Sequence, residues 1–430
     1  MTVDADAHQI TQYAIHGYAP VDVANPATAV ELGAVVSNAV KNDCAVVPWG
    51  GGTHQALGKA LILDGRDFVV VCTRGLNRVL NYTPDDMTIS VEAGMTWAEL
   101  DEILKPNAQM LPMDVPLPER STIGGAFAVG ADGPRRLSWG TLRDVLIGIS
   151  VVEASGRVTK SGGMTVKNVS GYDLGKLYHG SLGTLAVVTS TNFKLVPRPR
   201  AEATARCEFS TLDDAFHLID ALHETQLVPA AVELVVERAA RQWDASTQSA
   251  IEAAPARFQV AVRAEGLPGA VERHIRDVPT LARAAHALES TVLSGDDHKS
   301  YWAYVNDLSR IAEQPLDRLV LKLTCLPGQL QRLLAESIRI ATLRQVLLSF
   351  NARAGNGVAY LRLRGGHDAL IAFHRDLSQL HPRLTLMAAA RGVRSQVPIW
   401  GNQLAGLEVM QRIKHEFDPH NVLNPGRFVV

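Results

Sequence analysis

Residues 48–59 read PWGGGTHQALGK, three consecutive glycines followed by Thr53 and His54. Glycine tolerates positive φ and lets backbone amides converge, so such a run after a strand suits the capture of an anion. Counting excludes two familiar phosphate loops. A triphosphate loop ending on Gly58 and Lys59 needs a glycine where Thr53 stands and a hydroxyl where Ala60 stands. A dinucleotide loop starting at Gly50 and Gly52 needs a third glycine where Gln55 stands, and no helical pattern follows. What remains is a nest of amides, with a plain glycine turn as the alternative.

Two further segments share this texture. Ser121-Thr122-Ile123-Gly124-Gly125 places hydroxyls and glycines at a helix start, where free N–H groups can receive an anion or the polar edge of a ring. Gly180-Ser181-Leu182-Gly183-Thr184 leads into the apolar run Leu185–Val188. Three such segments exceed what one phosphate requires and suit a large cofactor lying along a domain. Candidates for acid–base or substrate chemistry are sparser. Arg353, Arg362 and Arg364 flank a strand–turn–strand, and a guanidinium fork matches a substrate carboxylate; a solvated strand face explains them as well. His367, after Gly365-Gly366, is a candidate base or a surface turn residue. Tyr172 and Asp173 sit in KNVSGYDL with Lys167 and Asn168, a stretch read mainly as bracing. The catalytic residues are otherwise unassigned. No grouping of His, Cys, Asp or Glu has metal-ligand spacing, and no G-x-S-x-G suggests a hydrolase.

The elements that must position these groups follow from periodicity. A helix is expected over 25–42, capped by Asn25 with Pro26 in its first turn. Strands are expected at Ala45–Val47, Phe68–Thr73 and Met87–Glu92, and Thr96 with Glu99 has capping-box spacing before a short helix. Ile147–Glu153 and Arg157–Lys160 read as a hairpin. The Pro-broken stretch KLVPRPRAE marks a boundary near 200. Residues 201–390 alternate strand-like runs (232–236, 258–263, 319–324, 358–363, 384–388) with helix-like ones (212–223, 329–340, 369–380). This pattern predicts an α+β domain with a mainly antiparallel sheet and helices on one face. The expected organisation is 1–200, 201–390 and a C-terminal segment, 391–430, made of one helix and two Asn/Pro turns.

Composition narrows the function classes. The 430 residues carry a formal net charge of −2, which argues against nucleic acid or an anionic membrane surface as partner. Cys44, Cys72, Cys207 and Cys325 are scattered, without a disulfide or cluster framework. With an N-terminus that lacks a charged-then-apolar leader, this sets the expectation of a reducing cytoplasm. No apolar run reaches the roughly 18 residues needed to span a bilayer, so any membrane association is expected to be peripheral, through partners.

Taken in order, GGGT, STIGG, WG-x-x-RD, the KN-x-x-GYDL…GS-x-GTL stretch and the terminal FDP-x-x-x-LNPGR resemble the FAD-binding oxidoreductases of the vanillyl-alcohol oxidase, or PCMH-type, superfamily. The likeness covers roughly 20–200 and the last 30 residues. Within that family, residues 166–199 and 399–429 look most like the smaller FAD-binding subunit of bacterial glycolate oxidase. The resemblance implies a two-subdomain FAD-binding domain, a cap domain, and a C-terminal segment returning to the FAD domain. It implies that Gly50, Gly51, Gly52 and Thr53, with His54 beside them, wrap the FAD pyrophosphate. It places Thr122, Ile123, Gly124 and Gly125 along the flavin and pyrophosphate, and Gly130, Gly140 and Asp144 near the cofactor or bracing its loop. Gly183, Thr184 and Val188 would hold the adenine–ribose side, and Asn424 and Arg427, with Pro425 and Gly426, would close over the flavin. His54 follows GGGT rather than two glycines, so the FAD is expected to be non-covalent.

Three readings of function stay open. The first is an FAD-dependent subunit that oxidises a 2-hydroxy acid such as glycolate by hydride transfer to flavin N5, beside a larger FAD subunit and an iron–sulfur subunit. The second, suggested by the larger middle domain, is a stand-alone FAD oxidase or dehydrogenase of another alcohol: a sugar, lactone or aromatic alcohol. The third is a non-catalytic, FAD-stabilised assembly subunit.

Overall fold

The structure, a computed structural model, describes residues 10–15, 17–164, 171–237, 242–244, 249–251, 256–309, 318–402 and 404–429. Lys167 and Asn168 lie outside them. The chain forms two compact units, one of residues 1–132, 140–197 and 405–430, the other of 133–139 and 198–404.

The first unit holds two sheets. Strands β1 (Asp22–Ala24), β2 (Ala45–Trp49) and β3 (Phe68–Cys72) form a parallel sheet in the order β1-β3-β2. Strands β4 (Val79–Thr83), β5 (Thr88–Glu92), β7 (Leu146–Val152), β8 (Val158–Gly162) and β9 (Val187–Lys194) form an antiparallel sheet in the order β4-β5-β9-β7-β8. A short pair, β6 (Gln109–Met110) with β10 (Val196–Pro197), completes the unit's strands. The helix Ala29–Lys41 joins the two sheets, because Leu32, Val36 and Ala39 pack in one core with Val46 and Val71 of the first sheet and Val152 and Val187 of the second. Its start lies three residues later than the sequence predicts. Thr28, not Asn25, caps it: Glu31 N donates to Thr28 Oγ1, and Glu31 Oε2 accepts from Ala27 N.

The expected capping box is present at Thr96 and Glu99, and the helix Trp97–Leu104 follows it. That helix and Ile123–Val129 lie on the antiparallel sheet, burying Leu100, Leu104 and Phe127 against Ile89, Val91, Ile149 and Phe193. The C-terminal residues reach the open edge of β2, where Val46 N donates to Val422 O and Asn424 N donates to Val46 O.

The second unit is one eight-stranded antiparallel sheet in the order β16-β11-β15-β12-β18-β19-β17-β20. The strands are β11 (Ala201–Phe209), β12 (Ala231–Val236), β15 (Phe258–Gly266), β16 (Glu289–Leu293), β17 (Arg318–Thr324), β18 (Leu347–Arg353), β19 (Val358–Arg364) and β20 (Leu384–Ala389); a separate pair is β13 (Gln242–Asp244) and β14 (Ser249–Ile251). Alternation along the strands decides the faces. Val232, Leu234, Phe350 and Leu361 enter a core with the helices Leu212–His223, Pro268–Ala284, Leu330–Leu343 and His367–Leu380. The expectation of helices on a single face needs correction. The helix Gly295–Asp307 packs Trp302 and Val305 against Ala231, Val235 and Ala261, which alternate to the opposite face. Among the described residues no helix is long and apolar enough to cross a membrane.

Candidate functional site

The glycine run leaves β2 as a turn and lines an open cleft. Glycine is required here by close approach. A Cβ on Gly50 would strike Thr122, and one on Gly51 would strike the Arg120 carbonyl, while Gly52 stands at φ +70 against Trp49. The backbone N–H groups of Gly50 through Gln55 donate to no acceptor among the described residues. Six successive amides without an internal acceptor are available to an anion, because an unpaired backbone donor is costly unless water or a ligand receives it.

The opposite wall comes from the helix Ile123–Val129, with Thr122 as its N-cap and Gly124, Gly125, Ala128 and Val129 along the cleft. Its first amides are not free, contrary to the sequence expectation. Ile123 N donates to Met95 O, Gly124 N to Ala93 O and Gly125 N to Thr122 Oγ1. The loop joining β5 to the next helix passes too close to leave them open. What Gly124 and Gly125 offer the cleft is a wall without side chains. Ile123 itself is fully buried in the sheet core.

A third wall is formed by Leu182, Gly183, Ala186, Val187 and Val188. Leu182 and Gly183 both hold positive φ, +56 and +67, and the Gly183 amide donates to no acceptor among the described residues. Thr184 faces inward instead; it is buried and its hydroxyl donates to Ser181 O at 2.7 Å.

The C-terminal residues clasp these walls together. Asn424 Nδ2 donates to Leu182 O at 2.7 Å, and Asn424 Oδ1 is buried without a partner at the cleft. Arg427 donates to the carbonyls of Lys59, Gln55 and Leu57, stapling the far end of the glycine loop. Beneath them, buried Lys414 donates to Thr184 O, Leu423 O and Asp418, whose carboxylate accepts from the amides of Val422 and Leu423. Burial pulls the Lys414 ammonium below its ordinary value, against the pull of Asp418.

His54 is half-buried, with Nδ1 2.9 Å from Thr53 Oγ1, and desolvation of its ring pushes its pKa down to about 4. At neutral pH the ring is uncharged. Among the described residues no carboxylate lines the cleft. An amide-lined site without negative side chains fits the diphosphate of a dinucleotide cofactor.

The other predicted residues stand apart from this cleft. Gly130 ends the helix Ile123–Val129 in the left-handed region at φ +64, where a Cβ would be in tight contact, 3.3 Å, with Gly180 and His179. Gly140 stands at φ +76 over Asp144, whose carboxylate accepts from the amide and hydroxyl of Thr141. Burial pushes the Asp144 carboxyl up, but those two bonds outweigh it and hold it below its ordinary value. Tyr172 is 93 % exposed.

In the second unit Arg353, Arg362 and Arg364 share one sheet face, the face that carries the helix Gly295–Asp307. Only Arg364 is exposed there as a strand-face residue would be. Arg353 is 2 % exposed, 3.6 Å from the fully buried Glu233, and stacked at 5.1 Å over the Tyr360 ring. Arg362 donates to Asn351 Oδ1 at 2.7 Å and to Leu308 O at 3.0 Å, and burial pulls it down to about 10, still protonated at neutral pH. Neither a solvated face nor an open carboxylate anchor describes these two. His367 opens the helix His367–Leu380, exposed and against Gly392.

Sequence reading missed Trp49, Gln55, Leu57, Thr73, Ala128 and Ala186 in the cleft wall. Apolar residues at these positions carry no chemical signal; Thr73 and Gln55 come in only through chain reversal after β3 and β2.

Comparison with known proteins adds independent findings. Residues 20–176 match the family described as FAD binding domain, and residues 400–428 match the C-terminal domain of FAD linked oxidases. The two matches contain the glycine loop, the 121–125 segment and the Asn424–Arg427 clasp. Glycolate oxidase subunit GlcD of Bacillus subtilis is 24% identical over 95% of this chain and 88% of its own length. The D-lactate dehydrogenase of Archaeoglobus fulgidus is 26% identical over 95% of this chain and 91% of its own. Glycolate oxidase subunit GlcE of Escherichia coli is 34% identical over 46% of this chain and 54% of its own. Among solved structures, an alkyldihydroxyacetonephosphate synthase superposes with a TM-score of 0.70 at 17% identity, covering 94% of this chain and 75% of that one, a likeness of fold alone.

Proposed function

We propose that this chain, whose residues 20–176 match an FAD binding domain and 400–428 the C-terminal domain of FAD linked oxidases, oxidises the CH–OH group of a small 2-hydroxy acid, with glycolate and D-lactate as the first candidates. The observation that carries this reading is the cradle of six open amides from Gly50 to Gln55, closed by Arg427 and free of carboxylates. Bound there, FAD supplies a two-electron acceptor at flavin N5. The chain's own work is to hold and orient. The Gly50–Gln55 amides would receive the diphosphate, the Gly124–Gly125 wall would let the cofactor lie against backbone, Gly183 would border its adenine–ribose end, and Asn424 would close over the flavin. Gly130, Gly140 and Asp144 brace the loops behind. Arg427 keeps the loop shut by occupying three of its carbonyls.

The proposed setting is a complex with a second FAD-bearing chain and an iron–sulfur chain that receives the electrons, since two of the relatives are themselves named as subunits. The test is spectroscopic. The purified chain should show flavin absorbance, released on denaturation because the FAD is non-covalent, and anaerobic glycolate or D-lactate should bleach it. Absence of flavin after added FAD overturns the FAD reading. Bleaching by a sugar or aromatic alcohol but by no hydroxy acid overturns the substrate assignment.

A second reading, an assembly subunit that binds FAD without turning over substrate, draws on the internal pairing of Arg353 and Arg362. It predicts bound flavin that no hydroxy acid bleaches, in the isolated chain or in the complex.

A further inference from the structure

We propose that His54 takes up a proton when the FAD diphosphate enters the glycine cleft, so that this side chain adds a positive charge to that of Arg427. The inference rests on the FAD reading above. It starts from a charge imbalance. A diphosphate diester brings two negative charges at neutral pH, and amides offer only partial ones.

Arg427 brings one fixed positive charge to the cleft wall, which leaves one of the two negative charges unmatched, and the donors of the nearby cations are already engaged. Arg427 spends its guanidinium on the carbonyls of Gln55, Leu57 and Lys59, and Lys59 Nζ donates to Val429 O at 3.0 Å. Arg120 lies on the exposed side of the loop, 3.5 Å from Gly51 O. No carboxylate lines the cleft among the described residues, so nothing there competes for the charge. His54 is the one cleft residue that can change its charge near neutral pH.

The contacts of its ring suit both states. Nδ1 meets a hydroxyl, Thr53 Oγ1, at 2.9 Å. A hydroxyl donates to the neutral ring and accepts from the protonated one, so the contact survives the change. No hydrogen bond within the described residues engages Nε2, so water or a ligand oxygen can reach it. Without ligand, burial keeps the ring neutral, at about 4. A unit negative charge about 4 Å away in a partly buried site would raise such a pKa by about three units, which would bring the ring to about neutrality. A ring that is neutral when free and protonated when bound couples FAD affinity to pH. Loading is favoured as pH falls toward 6.

The experiment is calorimetric titration of the apoprotein with FAD at pH 7, in buffers of different ionisation heat. The expected result is uptake of about half a proton, with FAD binding tightening about tenfold between pH 8 and pH 6. His54→Gln should bind FAD without proton uptake and with a flat pH profile, and His54→Asn should repeat this if the glutamine variant folds poorly. Wild-type binding without uptake, or uptake unchanged in both variants, overturns this inference and leaves the FAD reading intact. Failure of the wild-type chain to bind FAD overturns both.

Discussion

The glycine cleft of the first unit and the polar sheet face of the second make opposite use of polar groups. The cleft holds one guanidinium, Arg427, and no carboxylate among the described residues, and the amides of its glycine loop have no internal acceptor. The sheet face is rich in charge, and its groups satisfy one another: Arg353 with Glu233 and Tyr360, Arg362 with Asn351, and Glu202 with His298 and Arg263. The same closure reaches Arg135 of the 133–139 segment, which pairs with Glu265 at 2.8 Å. Residue type alone points the other way, since arginines suggest chemistry and glycines suggest turns. What separates a site from a scaffold is whether its hydrogen-bonding capacity is spent inside the protein.

If that contrast is right, the largest effect should come from breaking the closed face. Glu233→Ala leaves Arg353 buried without its carboxylate, and urea unfolding should show the second unit destabilised by about 3–5 kcal/mol. Flavin affinity should move less than about twofold. A large loss of FAD binding with no change in stability would invert the comparison.

Next in size is the open cleft. Gly51→Ala drives a Cβ into the Arg120 carbonyl, and relieving it must displace the loop whose amides form the cradle. An overpacking cost of about 2–3 kcal/mol, taken up at the loop, corresponds to roughly a hundredfold weaker FAD. Fluorescence titration with FAD checks this, and near-normal affinity would show that the cradle is not where FAD binds.

A smaller effect, confined to acid, sharpens the account of the closed face. The hydrogen bond from His298, with Arg263 and Arg135 nearby, holds Glu202 down at about 2 against the cost of burial. A carboxyl depressed in the folded state stabilises above its unfolded value, about 4.3, and that contribution is lost as pH falls toward 2. Glu202→Gln should therefore flatten the stability curve between pH 4.3 and 2 in acid unfolding. A curve parallel to wild type would remove Glu202 from the network.

The smallest effect belongs to Tyr172. Standing 93 % exposed, it should tolerate Tyr172→Phe within about 0.5 kcal/mol in thermal unfolding and with the rate of flavin reduction unchanged. A clear fall in rate would make it a reacting group that only a partner chain or substrate brings into place.

Much of the local structure was legible. The Thr96–Glu99 capping box is a signal complete within four residues, and the helix it starts follows as expected. The first long helix was placed three residues early because Asn25 and Pro26 imitate a start. Only the reciprocal bonds of Thr28, Glu31 and Ala27 distinguish the true one. Strand β11 was lost to the neighbouring Pro-rich boundary, and the Pro268–Ala284 helix was hidden by its internal Pro279. The FAD-binding character was also legible, because glycines forced by close approach leave a pattern of residue type at fixed spacing.

By itself, then, the sequence determined many of the local elements, the antiparallel character of the second unit and the FAD-binding character. These depend on short-range periodicity, turn chemistry and glycine positions, all written in consecutive residues. The tertiary structure alone decided which polar groups are open and which are spent. It joined Arg427 to carbonyls some 370 residues away, took the first amides of the 123–129 helix for Ala93 and Met95, and buried Arg353 beside Glu233. Hydrogen-bond capacity is consumed by whatever neighbour the fold brings within about 3 Å, and that neighbour has no mark in the linear order.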